Sequence, residues 1–317
     1  MKKILVTGAN GFIGKALVKV LLKNNFIVSV LVRKKNIFPK KVNVFQISNF
    51  YDATKVRAAF DGVDCIVHLA GQAHKVHIDS KNEMNKDDEI RRINTTFTVE
   101  LAKYAVKCGV KRFIFLSSIS VNGIRTENFS FSEKDLPNPQ DPYSLSKYEA
   151  EQGLIKVSKN NDLKIVIIRA PLVYGLNAKG NFARLLKWAS SKNTIPLPLG
   201  NINNLRSFIA LDNLIDFIIT CILNPKAINQ IFLISDDEKY STTEFIKIIL
   251  KLFNKKARLF SFPQSWILLL SKLFGKEEDA LRLISSLEID SSKARKLLGW
   301  KAVTNMDIEL KKNEKNI

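Results

Sequence analysis

Cysteine is scarce in this 317-residue chain, with three in all. Cys65, Cys108 and Cys221 form no even-numbered framework and share no paired metal spacing. That excludes a disulfide scaffold and a cysteine zinc knuckle, and reads as small buried thiols in a reducing compartment. Long apolar runs are missing too: Trp266 to Leu270 falls far short of the ~20 residues that a membrane span needs. The start, Met1-Lys2-Lys3-Ile4, is basic, but Gly8 and Asn10 interrupt the apolar residues that follow. It does not read as a signal peptide, and a cytoplasmic protein is expected. Acidic residues are outnumbered, 30 Asp and Glu against 50 Lys and Arg, for a net charge of +20. The lysines are scattered, with no zinc knuckle, RNA-binding strand signature or basic helix with interleaved aromatics, so no nucleic-acid partner is expected. Such a field suits an anionic cofactor and an anionic substrate. The basic sequence around Trp266 to Lys276 also suits loose contact with a membrane surface, without an integral segment.

What is present is an alternation of short β-branched runs with helical patterns, the mark of a doubly wound parallel sheet. Strands are expected at 3–7, 27–32, 42–47, 65–69, 112–117 and 164–169. Helices are expected at 12–23, 54–60, 90–108 and from Asp141 to about Lys159. After Gly175 loops lengthen, Asn and Pro become frequent between Asn193 and Asn204, and helices predominate. An α/β fold is expected, with a dinucleotide-binding lobe over 1–175 and a smaller C-terminal substrate-binding lobe over 176–317. The segment 206–235 is a candidate to return to the first lobe.

Between the first strand and the first helix lies Thr7-Gly8-Ala9-Asn10-Gly11-Phe12-Ile13-Gly14. Glycines permit a sharp turn and close approach of a pyrophosphate, and the helix N-terminus offers free N–H groups and a positive dipole end. Gly8, Asn10, Gly11, Phe12, Ile13 and Gly14 are therefore candidate cofactor contacts. The second strand ends Leu31-Val32-Arg33-Lys34-Lys35 without a carboxylate. An acidic residue there would read the 2′-hydroxyl of NAD, whereas Arg33 suits the 2′-phosphate of NADP. NADP(H) is favoured and NAD(H) is possible. Leu69, Ala70 and Gly71 can line the cofactor through their backbone, and Asn49 stands where an adenine-reading side chain can lie.

Asp141-Pro142-Tyr143-Ser144-Leu145-Ser146-Lys147 has a mechanical meaning. Asp141 can cap a helix and Pro142 suits its first position. Tyr143 and Lys147 then share one face, one turn apart. An ammonium beside a phenol favours phenolate, so Tyr143 becomes an acid/base for a sugar hydroxyl or carbonyl. Ser118 ends the fifth strand, 25 residues before Tyr143, and is a candidate hydrogen-bond partner of the reacting oxygen. His74-x-x-His77 lacks a third ligand nearby, and no metal is expected.

Taken with His68-Leu69-Ala70, Phe113 to Ser118, Arg169-x-Pro171-x-Val173-Tyr174-Gly175 and Asp290-x-Ser292-Lys293-x5-Gly299-Trp300, these motifs span nearly the whole chain. The chain resembles the extended short-chain dehydrogenase/reductase family of NAD-dependent epimerases and dehydratases. The resemblance implies a Rossmann fold, hydride transfer between sugar C4 and nicotinamide, proton exchange by Tyr143, and a nucleotide-sugar substrate. It adds Pro171 to the cofactor contacts, places Asn181, Arg206 and Arg282 on the substrate diphosphate, and suggests a homodimer.

Within the family, the 4,6-dehydratases carry an Asp-Glu pair where this chain has Ile119 and Ser120, so dehydration is not expected. Gly71 to His74, Arg91 to Asn94, Gly180 to Leu186 and Ser286 to Lys293 resemble a UDP-glucose 4-epimerase-like subgroup. That subgroup includes reductases of UDP-4-keto-6-deoxy-N-acetylglucosamine for surface polysaccharide. NADPH-dependent 4-keto reduction is the leading expectation, with a UDP-glucose or UDP-N-acetylglucosamine 4-epimerase holding NAD as the alternative. A non-catalytic NAD(P) sensor on the same fold would have no use for the Ser118, Tyr143 and Lys147 set.

Overall fold

The computed structural model describes residues 1–34, 37–47, 53–72, 84–175, 177–178, 180–191, 195–256 and 258–312, without the side chains of 53–55, 84–86 and 181. Ten strands occur among them: β1 Lys3–Thr7, β2 Ile27–Val32, β3 Val42–Gln46, β4 Cys65–His68, β5 Arg112–Ser118, β6 Lys164–Ala170, β7 Leu172–Tyr174, β8 Arg206–Ala210, β9 Gln230–Leu233 and β10 Lys239–Tyr240. Seven build one sheet in the order β3-β2-β1-β4-β5-β6-β9, parallel throughout. The strand order reverses between β1 and β4, and ligands of such sheets bind at the strand C-termini beside that switch point. The α/β doubly wound Rossmann architecture is thus present.

Buried parallel strands must be apolar on both faces. β1 and β4 meet this with Ile4, Leu5, Val6, Ile66 and Val67, each wholly buried. One face of the sheet packs on helix Phe12–Lys23 and helix Leu211–Leu223, the other on helices Phe97–Lys107 and Pro142–Lys159. The apolar stripe of the Phe12–Lys23 helix, with Leu17, Val18 and Leu21 buried, recurs at helical spacing. Within 206–235, β9 joins the large sheet beside β6 and the Leu211–Leu223 helix packs into its core. A second sheet, β10-β8-β7, the helix Asn181–Ser190 and the helices after β10 enclose a separate aromatic cluster around Phe182, Phe208 and Phe245.

The expected helix over 90–108 is more complex. It begins at Met84, passes through a π-helical segment at Arg92–Thr96 and continues as Phe97–Lys107. A π segment inserts an extra residue per turn and often marks a site. Here it turns the buried Asn94 inward, where Nδ2 donates to Ser146 Oγ at 2.9 Å and Oδ1 accepts from the Gln72 amide at 2.8 Å. Apolar periodicity has no means of signalling that insertion.

Candidate active site

β1 runs into the helix Phe12–Lys23 through the glycine loop. Gly8 has φ of +70°, and a Cβ there would lie 2.6 Å from the Ala70 amide nitrogen. A Cβ on Gly14 would lie 2.3 Å from the Gly8 carbonyl. Only glycine fits at either place. Gly11 is the helix N-cap and supplies no side chain, and no acidic residue lies in the first turn. The leading N–H groups and the dipole of this 12-residue helix are left for an external anion. This cradle, roofed by Leu69 and Ala70 at the end of β4, fits a dinucleotide pyrophosphate.

Asn10 ties the loop to the end of β2, its Nδ2 donating to the Lys34 carbonyl at 2.9 Å. Its Oδ1 is buried without a hydrogen-bond partner among the described residues, an acceptor that suits a ribose hydroxyl. Arg33 and Lys34 are exposed at that strand end. Behind the cradle, His68 is wholly buried between Thr7 Oγ1 at 2.7 Å and Thr98 Oγ1 at 2.9 Å. Burial among Phe97, Phe113 and Phe115 lowers its pKa to about 3, so the imidazole is neutral and structural. Asn49, Lys35, His74 and His77 lie outside the described residues.

The helix Pro142–Lys159 starts with a capping box: Asp141 Oδ1 accepts from the Ser144 amide at 2.7 Å, and Ser144 Oγ accepts from the Asp141 amide at 3.1 Å. That fixes the register in which Tyr143 and Lys147 face β5. Ser118, at the C-terminus of β5, lies near enough to Tyr143 to lower its pKa, while its Oγ accepts from the Ser120 hydroxyl at 2.8 Å and caps a short 3-10 turn over Ile119–Val121. Burial pushes the Tyr143 phenol up to about 12, against the lowering effect of Ser118. Lys147 donates to the Leu116 carbonyl at 3.0 Å and rests over the Phe115 ring. Burial pulls its ammonium down to about 8. The expected depression of the phenol pKa by Lys147 is not what this arrangement displays: Ser118 supplies the lowering influence, while the ammonium is turned to Leu116. Gly71 passes so close to Lys147 Nζ that a Cβ would lie 3.1 Å from it. Pro171, directly after β6, is buried.

Beneath this set lies a buried ionic cluster that motif reading overlooked. Glu151, wholly buried, accepts from Arg169 Nη2 at 2.6 Å, from Arg169 Nε at 3.1 Å and from Ser117 Oγ at 2.5 Å. Arg169 Nη1 also donates to Asn122 Oδ1 at 2.9 Å. The Glu151 charge raises the Lys147 pKa, partly offsetting burial. The available signal was spacing: Tyr143, Lys147 and Glu151 repeat every four residues along one helix face.

Arg206, at the start of β8, and Arg282, in the helix Glu277–Ile284, lie together beside the smaller sheet. Arg206 Nη1 donates to the Arg282 carbonyl at 2.5 Å and to the Ser285 carbonyl at 2.9 Å. Burial, and then the Arg282 charge, pull the Arg206 pKa down to about 10. Arg282 Nη2 pairs with Asp141 Oδ2, tying its helix to the cap of the helix Pro142–Lys159. Its Nε is buried without a hydrogen-bond partner among the described residues. Two adjacent guanidiniums with a spare buried donor make a place for phosphate oxygens. Asn181 opens the helix Asn181–Ser190, and its side chain lies outside the described set.

Residues 4–235 match the family described as NAD dependent epimerase/dehydratase. A UDP-glucose 4-epimerase of Vibrio cholerae is 40% identical over 308 residues, covering 95% of this chain and 90% of that protein. An N-acetyl-alpha-D-glucosaminyl-diphospho-ditrans,octacis-undecaprenol 4-epimerase of Escherichia coli O157:H7 is 24% identical over 286 residues, covering 86% and 81%. The UDP-glucose 4-epimerase of Thermotoga maritima, solved with UDP-glucose, superposes with a TM-score of 0.79 at 20% identity, over 99% of this chain and 97% of that one. With a glycine cradle, a Ser–Tyr–Lys set and a family match across most of its length, the chain belongs to the NAD-dependent epimerase/dehydratase family, as a nucleotide-sugar enzyme of the short-chain dehydrogenase type.

Proposed function

We propose that this chain is a UDP-hexose 4-epimerase, oxidising the sugar at C4 and returning the hydride to the opposite face. The observation that carries the reading is Ser118 at the end of β5 acting on the Tyr143 phenol, with Lys147 one turn along the same helix. Ile119 and Ser120 follow directly, so neither residue after Ser118 offers a carboxylate to move protons at C5 and C6. The likeness to the Vibrio cholerae epimerase favours this reading over the 4-keto reductase expected from the sequence.

A bound nicotinamide supplies the hydride-accepting carbon. Tyr143 takes the C4 hydroxyl proton on oxidation and returns it to the carbonyl oxygen on reduction, which general acid/base chemistry at one atom requires. Ser118 orients that oxygen and favours the ionised phenol, and the buried Lys147 ammonium, beside Gly71, is placed to hold the ribose of a bound cofactor. Arg206 and Arg282 hold the substrate diphosphate together with Asn181. Residues 1–175 bind the cofactor, and 176–317 bind the sugar nucleotide, with the stretch from Leu211 to Leu233 packed back on the first lobe. The three unpaired thiols support a reducing, cytoplasmic setting. Helices Phe97–Lys107 and Pro142–Lys159, whose outer faces form a groove lined by Tyr104 and Lys156, are the surface through which two copies would pair.

A second reading, NADPH-dependent 4-keto reduction, is favoured by Arg33 and Lys34 at the end of β2, where no carboxylate stands. One experiment separates the two. Purified protein is incubated with UDP-glucose or UDP-N-acetylglucosamine, and the products are resolved by anion-exchange chromatography while NADPH absorbance is followed. Epimer formation without net change in cofactor supports the epimerase. Stoichiometric NADPH loss with a UDP-4-keto-6-deoxy sugar, and no epimer from either hexose, overturns it in favour of the reductase.

A further inference from the structure

The helix Gln264–Leu273 contains no buried residue, although seven of the neighbouring positions 266–270 and 273–274 are large and apolar. Its inner side is accounted for: Ile267 and Leu268 pack on the aromatic cluster of the second lobe. The opposite side is not. Trp266, Leu269, Leu270 and Leu273 stand at i, i+3, i+4 and i+7, with exposures of 55, 53, 41 and 74%. Phe274 continues the stripe at 77% exposed. At 100° per residue these four helical positions fall within one arc, roughly opposite the arc of Ile267, Leu268 and Ser271. One apolar stripe anchors the helix to the protein, and a second faces solvent. Scattered exposed leucines need no explanation, but a contiguous stripe on one helix marks a contact surface.

The charge around the stripe indicates its occupant. From position 245 to 276 the chain carries Lys247, Lys251, Lys255, Lys256, Arg258, Lys272 and Lys276 and no carboxylate. All but Lys255 are exposed, and Lys255 Nζ donates to the Ser191 carbonyl. No ion pair is formed by any of the seven among the described residues. Glu277, Glu278 and Asp279 bound the patch on its C-terminal side, in the first turn of the next helix, where the dipole favours them. Pairing of two copies through this stripe would bring the same cationic rims together, which like-charge repulsion opposes. An anionic bilayer surface meets every feature. Leucine and phenylalanine enter the acyl boundary, tryptophan sits at headgroup level, and lysines meet lipid phosphates.

We propose that Gln264–Phe274 is an interfacial anchor that docks this enzyme on a membrane rich in anionic phospholipid. The anchor packs on the helix Glu277–Ile284, which carries Arg282. Docking would therefore hold the arginine pair of the second lobe on the membrane-proximal side of the molecule. The surface stands apart from the cradle and from the Ser118, Tyr143 and Lys147 set, so it is independent of which C4 reaction the enzyme performs.

The test is co-sedimentation of the full chain with vesicles of phosphatidylcholine alone and of phosphatidylcholine with 30% phosphatidylglycerol. The variants are Leu273→Ser/Phe274→Ser and, for charge, Lys272→Glu/Lys276→Glu. All four residues are exposed, and unchanged thermal unfolding checks that each variant folds. Binding to the anionic vesicles, a loss of more than ~tenfold in the apolar variant, and weaker binding at 0.5 M salt support the anchor. Leu273→Ser alone, expected to lose several-fold, is a milder second probe. No binding to anionic vesicles overturns the proposal, and so does equal binding by the apolar variant, which would make the attraction one of bulk charge. A dimer in sedimentation velocity that Leu273→Ser/Phe274→Ser converts to monomer, with no lipid binding, would show that a second copy covers the stripe.

Discussion

Replacing Glu151 by glutamine keeps the shape of the side chain and removes its charge. Glu151 is wholly buried and Arg169 is 3% exposed, so the guanidinium would keep Asn122 but lose its counter-ion. Breaking a buried pair in this way costs about 3–5 kcal/mol, a large share of the ~5–15 kcal/mol that holds a domain together. With a urea slope of about 3 kcal/mol per M, the unfolding midpoint should fall by about 1–1.7 M. The same substitution removes the group that raises the Lys147 pKa. That pKa should drop below about 8, and the alkaline limb of the kcat/KM profile should move to lower pH with it. A purely structural glutamate would lower the midpoint and leave the limb in place. The double variant Glu151→Gln/Arg169→Met removes both charges and should regain most of the lost stability. The reasoning fails if Glu151→Gln unfolds within about 0.3 M of the parent, a change of ~1 kcal/mol. It fails equally, as regards positioning, if the alkaline limb does not move.

Tyr143→Phe should lower turnover by about 10²–10⁴-fold while leaving cofactor binding intact, checked by steady-state rates and a cofactor fluorescence titration. Gly14→Ala places a methyl group 2.3 Å from the Gly8 carbonyl, so cofactor binding should be lost in the same titration, with a lower unfolding temperature. Lys147 has a folded pKa of about 8 against 10.5, so between those values the unfolded chain binds more protons and stability from this group rises with pH. Lys147→Met should therefore unfold at higher denaturant than the parent below pH 8, by about 3 kcal/mol, and the gap should narrow by pH 10. Arg33→Glu should weaken NADP(H) relative to NAD(H) by at least tenfold in cofactor Kd, if the end of β2 reads the ribose.

The parts legible in the sequence are those whose geometry is fixed by neighbours in the chain. Thr7 to Gly14 is a turn between a strand and a helix: Gly8 takes a positive φ there, and Gly14 closes against the Gly8 carbonyl within seven residues, while the further crowding of Gly8 by Leu69 and Ala70 comes from the neighbouring strand end. Asp141, Pro142 and the four-residue step from Tyr143 to Lys147 follow from helix capping and the helical repeat. The strands of the large sheet announce themselves as apolar runs because both of their faces are covered. Strand order then brings distant residues together, and no local pattern encodes it. Ser118 reaches Tyr143 because β5 ends beside the capped helix, and Arg169 meets Glu151 because β6 lies next to β5. The π segment that turns Asn94 inward is stabilised by Gln72 and Ser146, which are remote in sequence.

The same division holds for Arg282 and for the helix Gln264–Leu273. The residue type in each case was visible, a guanidinium and an apolar run flanked by lysines. Which neighbour Arg282 takes, Asp141, was decided by the packing of its helix against the start of the helix Pro142–Lys159. Composition shows that Trp266, Leu269, Leu270 and Leu273 are apolar. Only the tertiary structure shows that Ile267 and Leu268 already fill the core contact, leaving those four toward solvent. A helix has two sides, and burial of one is a property of what lies against it.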